Sequence, residues 1–289
     1  MIEQAPAGGG PASPVAVAFA RAAAERRAAL VGYLPAGFPS YQGSIDALRA
    51  MVDGGVDVVE IGLPYSDPVL DGPVIQQAAD QALRAGCRTA DVLRTVEAVT
   101  AAGTAALVMT YWNPVFRYGV ERFARDLAGA GGSGLITPDL TPDVAGDWLA
   151  ASERYGLDRV FLVAPSSTDA RVAATAAACR GFVYATSVMG VTGTRDATST
   201  AAPALVARVR AVTSLPVAVG LGVSDGRQAA EVARYADGVI VGSAFCRRLL
   251  DAESDPAGGL AAVRALAADL AAGVRESEQV GRGTADRLA

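Results

Sequence analysis

The chain of 289 residues contains no histidine, and all 25 of its basic side chains are arginine, so lysine is absent as well. Without histidine, the commonest general base and the commonest metal ligand are both missing. Without lysine, no Schiff base can form on a carbonyl substrate and no pyridoxal phosphate can be held by one. Acid–base chemistry must come from Asp, Glu, Tyr, Cys or water. Cysteine is sparse: Cys87, Cys179 and Cys246 lie far apart without a CxxC pair, which suggests neither a disulfide framework nor a zinc knuckle. A reducing cytoplasm is the expected compartment. The net charge of −5, with no clustered basic stripe, argues against a nucleic-acid surface. The opening MIEQAPAGGGPASP lacks the basic and apolar regions of a signal peptide. No apolar run reaches the roughly 18 residues that span a bilayer, so a soluble protein without a membrane partner is expected.

What is abundant is hydrophobic content, 51%, enough for one large core. Residues 1–13 are rich in Pro, Gly and Ala and read as a disordered N-terminal extension. From 14 to about 29 an Ala/Arg-rich segment is expected to be helical, a lid on the bottom of a barrel. Eight short apolar runs then alternate with helical patterns. The strands are expected at 30–34, 56–61, 105–111, 134–137, 159–163, 181–187, 216–220 and 238–241. Between them Ile45, Leu48 and Val52, then Val92, Val96 and Val99, then Val144 and Trp148, mark helical faces. Leu205, Val209 and Val212 mark another, and Ser224 is placed to cap the next helix. A last helix ends near 275, and 276–289 reads as a flexible polar tail. This is the pattern of one α/β domain, a single (β/α)8 TIM barrel with extra N-terminal and C-terminal helices over 14–275. A doubly wound sheet is the competing topology; eight regular units and no GxGxxG after the first strand disfavour it.

The stretch VVEIGLPYSDPVLDGPVIQQ (58–77) concentrates the chemistry. Glu60 interrupts a β-branched apolar run, and a carboxylate inside a buried strand is costly unless it is paired or used. Asp71 lies on the Pro/Gly/Asp-rich loop after that strand, before a helix for which Pro73 suits the first turn. Two carboxylates facing one pocket can separate their pKa values and divide acid and base work. Competing readings are that Asp71 is a helix N-cap or turn residue, and that Glu60 forms a structural ion pair with an arginine. Glu60, Tyr111, Asp139, Tyr184, Gly222 and Gly242 all fall at or just after strand ends, which share one mouth in a barrel. Glycine-containing turns GVTGT (190–194), GLGVSD (220–225) and VGSAF (241–245) come after the last three strands. Such turns suit a phosphate held by backbone N–H groups and a helix N-terminus, with Ser243 adding a hydroxyl; the plainer reading is three tight turns.

VEIGLPYSDPVLDGPVIQ, with GYLPAGFPS before it and MTYWNPVFRYG, LITPDL, GVTG and VGLGVS after it, resembles the tryptophan synthase alpha subunit family over about residues 15–275. The resemblance implies retro-aldol cleavage of indole-3-glycerol phosphate to indole and D-glyceraldehyde 3-phosphate without a cofactor. It implies that Glu60 and Asp71 are catalytic, with Tyr184 in the active site and Thr192 contacting the aspartate on closure. It implies that Tyr33, Tyr111 and Ile136 line the indole pocket, and that Gly193, Gly222, Gly242 and Ser243 hold the phosphate. Asn113 and Pro114 would meet a beta subunit, in a heterotetramer of two alpha and two beta chains. Tyr33 stands where many members have phenylalanine, Ser187-Val188-Met189 replaces a stretch that often holds arginine, and residues 1–13 have no counterpart. The chemistry fits the missing lysine, because indole protonated at C3 is its own electron sink. Loops 63–72 and 188–200 are expected to act as lids. Alternatives are a lyase releasing free indole, a non-catalytic activator of a beta subunit, and another phosphate-binding barrel such as a sugar-phosphate isomerase.

Overall fold

The computed structural model describes residues 12–186, 195–220 and 222–276. Helix α1 (Pro14–Ala24) precedes β1 (Ala29–Pro35), α2 (Tyr41–Asp53), β2 (Val58–Gly62), α3 (Pro73–Arg84) and α4 (Thr89–Thr100). Next come β3 (Ala105–Met109), α5 (Trp112–Tyr118), α6 (Val120–Gly129), β4 (Gly134–Thr137), α7 (Gly146–Arg154), β5 (Asp158–Val163) and α8 (Asp169–Ala178). The chain continues through β6 (Val183–Thr186), α9 (Arg195–Arg210), β7 (Val217–Gly220), α10 (Gly226–Ala233), β8 (Gly238–Val241), α11 (Ser243–Leu250) and α12 (Pro256–Glu276). The eight strands pair in parallel in sequence order, and β8 returns to β1, closing the barrel.

Strand period two sorts side chains into two cores. Val31, Val58, Leu107, Ile136, Val160, Phe182, Ala218 and Ile240 fill the barrel interior, while a larger shell lies between strands and helices. Helix α1 plugs the N-terminal end, with Phe19 against Phe182 at a ring-centroid distance of 5.2 Å. Beside it the buried Asp57 accepts from Arg27 at 2.6 and 2.8 Å, from Arg21 at 2.9 Å and from the Leu30 N–H at 2.9 Å. Burial acts to raise the Asp57 pKa, but these donors hold it below the usual carboxylate value. Ser13 caps α1 and donates to the buried Asp158 at 2.5 Å.

Four local expectations are corrected. Strand β3 stops at Met109, and Tyr111 instead opens α5, which the sequence hides because it is seven residues long and carries Pro114 in its first turn. Asp225, not Ser224, caps α10, accepting from the Gln228 N–H at 2.8 Å. Val144 sits exposed in a 3₁₀ turn before α7, not on that helix's packed face. Lastly, α12 is 21 residues long with a mean hydropathy of 1.4, so a helix long and apolar enough to cross a bilayer does exist. Scattered alanines give it that hydropathy across the charges of Arg264 and Asp269, which break any continuous apolar run in the sequence. Its apolar side, including Val263, Leu266, Leu270 and Val274, is buried in the shell around the barrel.

Candidate active site

Glu60 occupies the middle of β2, in register with Tyr33 on β1 and Leu107 on β3. Its parity with Val58, part of the interior core, sends the side chain into the barrel above that apolar layer. The residue is fully buried, and neither carboxylate oxygen has a hydrogen-bond partner among the described residues. Among the described residues no arginine pairs with it, which disfavours the structural reading. Burial alone pushes its pKa up to about 8, so the carboxyl carries its proton at neutral pH.

Asp71 is half-buried on the loop between β2 and α3. It does not cap α3: Gly72 occupies that position, no side chain bonds there, and Pro73 takes the first turn. Burial raises the Asp71 pKa, and hydrogen bonding to the Tyr111 hydroxyl partly opposes that rise. Both acids act on the same two phenols. Tyr33 and Tyr184 are pushed well above the ordinary tyrosine value, first by burial and then by the charges of both Glu60 and Asp71. Charge on either acid is thus felt by both phenols at the barrel mouth.

Room for the phenols comes from glycine. A Cβ on Gly220 would sit 2.5 Å from the Tyr184 Oη, and one on Gly62 would strike the Tyr33 Oη. Tyr184 stacks above Phe182, with centroids 6.5 Å apart, so the interior column ends in a polar head at the mouth. Ile136 lies in the adjoining interior layer, fully buried. Tyr111 lies just past the end of β3 with its hydroxyl accepting from the Leu70 N–H at 2.9 Å.

Across the mouth, adjacent strands β7 and β8 end in the glycine turns. Gly222 has φ +71°, a left-handed conformation that favours glycine. Gly242 precedes α11, and Ser243 is its first residue. Thr192 and Gly193 lie outside the described residues, as does most of the expected 188–200 lid. Asn113 is exposed on α5 and donates to the Tyr65 hydroxyl at 3.2 Å. Pro114 helps line a surface groove of ≈ 260 Å³ with Leu63, Pro64, Cys87, Arg88 and Thr89. No group of three or more metal-ligating side chains occurs among the described residues.

Three residues here have roles that sequence reasoning missed. Asp139 accepts the Trp112 N–H at 2.9 and 3.1 Å, fixing the start of α5. Gln76 donates to the Asp71 carbonyl at 2.7 Å. The Tyr65 ring packs on Tyr111 at 5.3 Å. An aromatic inside the polar PYSDP segment was the one local signal available for any of these contacts.

A closed parallel barrel with carboxylates and phenols gathered at its C-terminal mouth is the layout of a (β/α)8 enzyme. Comparison with known proteins narrows this. The sequence model of the family described as "Tryptophan synthase alpha chain" matches residues 19–275. The tryptophan synthase alpha chain of Acidothermus cellulolyticus is 67% identical over 267 residues, covering 92% of this chain and 99% of that one. That of Salinispora tropica is 65% identical over 263 residues, covering 91% and 98%. Tryptophan synthase from Mycobacterium tuberculosis superposes with a TM-score of 0.85 at 58% identity, covering 92% of this chain and 99% of that one. The alpha subunit from Legionella pneumophila gives 0.84 at 29% identity, covering 91% and 99%. The chain belongs to the tryptophan synthase alpha chain family. It is a lyase of tryptophan biosynthesis that cleaves indole-3-glycerol phosphate.

Proposed function

We propose that Glu60 carries the proton and Asp71 stabilises the charge in the cleavage of indole-3-glycerol phosphate. The carrying observation is Glu60 itself: a fully buried carboxyl at the mouth, without a hydrogen-bond partner among the described residues and protonated to about pH 8. Protonated Glu60 donates to indole C3, which makes the ring a cationic electron sink. The resulting carboxylate then takes the proton of the glycerol hydroxyl on the carbon bonded to C3. As that C–O bond becomes a carbonyl, the C–C electron pair moves into the ring, giving indole and glyceraldehyde 3-phosphate. No proton is gained or lost overall, and Glu60 ends in its starting state. Asp71 accepts from the indole N–H, where the positive charge collects.

Tyr33, Tyr111, Tyr184 and Ile136 form the aromatic and apolar wall for indole. Gly193, Gly222, Gly242 and Ser243 bind the phosphate through backbone N–H groups and the α11 N-terminus, and Thr192 meets Asp71 when the loops close. Asn113 and Pro114 belong to a surface for a beta subunit, in a complex of two alpha and two beta chains that receives the indole. The exposure of Asn113 beside the mouth supports this placement. The cytoplasm is the proposed compartment.

Glu60→Gln tests the assignment. It keeps the shape and removes the proton donor, so kcat should fall by about 10²–10⁴, with binding of a substrate analogue retained in calorimetry. Turnover at the wild-type rate would remove Glu60 from the mechanism.

A further inference from the structure

Asp71 sits on a loop whose neighbouring side chains do little to hold it. Val69 and Leu70 are 79% and 61% exposed, so apolar packing does not fix the backbone on the N-terminal side of the acid. What fixes it is a set of polar bonds to the segment after β3. The Leu70 N–H donates to the Tyr111 hydroxyl at 2.9 Å. Tyr111 is held from behind, because the next residue donates its N–H to the Asp139 carboxylate at 2.9 and 3.1 Å. Its ring lies 5.3 Å from that of Tyr65, tilted by 34°, and the Tyr65 hydroxyl accepts from Asn113 at 3.2 Å. Two positions of the loop, 65 and 70, are thus tied to the short segment 111–113. On the other side, Gln76 holds the Asp71 carbonyl at 2.7 Å.

We propose that Tyr111 is a positioning residue: its hydroxyl, bonded to the Leu70 N–H and backed by the Tyr65–Asn113 contact, holds the loop that carries Asp71 and so sets the place of that carboxylate at the barrel mouth. This rests on the catalytic reading of Asp71 and goes beyond the role of Tyr111 as a wall for indole. The hydroxyl accepts from Leu70 and still has its own proton to offer. Burial pushes the Tyr111 pKa up to about 12, so that proton stays in place through the working pH range. A donor facing Asp71 stabilises the charged carboxylate, and charge-assisted bonds of this kind are the strong ones. Among the described residues, the other ionisable groups that feel the charge of Asp71 are Tyr33 on β1, Tyr184 on β6 and Cys246 on α11; Glu60 on β2 acts on the same two tyrosines and Asp139 on Tyr111.

The test is steady-state kinetics from pH 5 to 9 on Tyr111→Phe, Tyr65→Phe and Asp71→Asn. Tyr111→Phe keeps the ring, the stack and the pocket wall and removes only the hydroxyl. A loop displaced by about 1 Å can cost on the order of 10²-fold, so kcat should fall about 10- to 100-fold with KM changed less than about threefold. The acid limb of kcat should move to higher pH, because Asp71 loses the donor that favours its charge. Tyr65→Phe should change kcat about two- to fivefold in the same direction, and the double variant should be no worse than Tyr111→Phe, since both act through one loop. An unmoved acid limb with wild-type kcat, or a rise in KM alone, overturns the proposal. Should Tyr111→Phe fail to melt cooperatively, the acid limb of Tyr65→Phe decides the question on its own. Asp71→Asn separates the layers: wild-type kcat there overturns the parent reading, whereas a dead Asp71→Asn beside an unaffected Tyr111→Phe overturns only the brace.

Discussion

At the residue scale, Glu60 stands apart because its neighbours withhold what a carboxylate normally receives. Folding strips water from both oxygens and returns no hydrogen bond among the described residues, so the protonated form is favoured up to about pH 8 against an ordinary 4.5. Between those values the folded chain binds more protons than the unfolded one. Stability is therefore greatest below pH 4.5 as far as this group is concerned, and falls as pH rises toward 8. At roughly 1.4 kcal/mol per pH unit, that interval bounds the effect at about 5 kcal/mol. Glu60→Gln cannot ionise and should lose this dependence. Urea unfolding should find the variant more stable than the wild type at pH 8.5 and the two closer together at pH 5; parallel curves would show that the carboxyl is solvated after all. Activity of the wild type should fall above about pH 8 as the donor ionises. Glu60 was legible in the sequence because one acid interrupting Val58, Val59 and Ile61 has no polar period to explain it. The Tyr65–Tyr111 contact was hardly legible, since an aromatic inside a polar segment does not say which ring it meets, and the pairing of β2 with β3 decides that.

At the scale of elements, the two ends of the barrel divide stability from chemistry. The bottom holds α1, with Phe19 on Phe182, and the Arg27–Asp57 pair. Phe19→Ala opens a hole beneath the interior column and should cost about 3 kcal/mol in urea unfolding. Its kcat at 25 °C should stay within about twofold of wild type, because the proposed reacting groups lie at the far end. A large fall in kcat would mean that the column transmits packing to the mouth through Phe182 and Tyr184. The eight strands could be placed from sequence because each is a short β-branched or apolar run between turn residues, and strands buried on both faces need nothing subtler. Helix α5 escaped because its seven residues include a proline and show too little periodicity to register. Ser224 and Asp225 are both good caps, and only the backbone decides between them; Ser224 bonds the Gln228 side chain instead. For α12, length and hydropathy state what could cross a bilayer, whereas the buried face states where this helix packs.

For the whole molecule, the proposed catalytic mouth and partner surface lie at the same end of the barrel. The loops after β2 and β3 contribute to both. Along them Val69, Leu70 and Phe116 stay exposed at 79%, 61% and 64%, an apolar presence that an isolated enzyme gains nothing from. Asn113 and Pro114 sit two to three positions before Phe116 on the same short helix. A large ring near the centre of a subunit contact is the kind of residue on which association free energy concentrates. If a beta subunit covers this end, Phe116→Asp places a charge in that contact while touching neither acid nor the phosphate turns. Affinity for the beta subunit, measured by calorimetry, should fall at least about 30-fold, the equivalent of roughly 2 kcal/mol. Cleavage by the isolated alpha chain should remain within about twofold, and the thermal midpoint should barely change, since the side chain is already in water. An unchanged affinity would move the partner surface away from α5. It would also leave the Tyr65–Asn113 contact as an internal brace for Asp71 with no exposure to the second subunit.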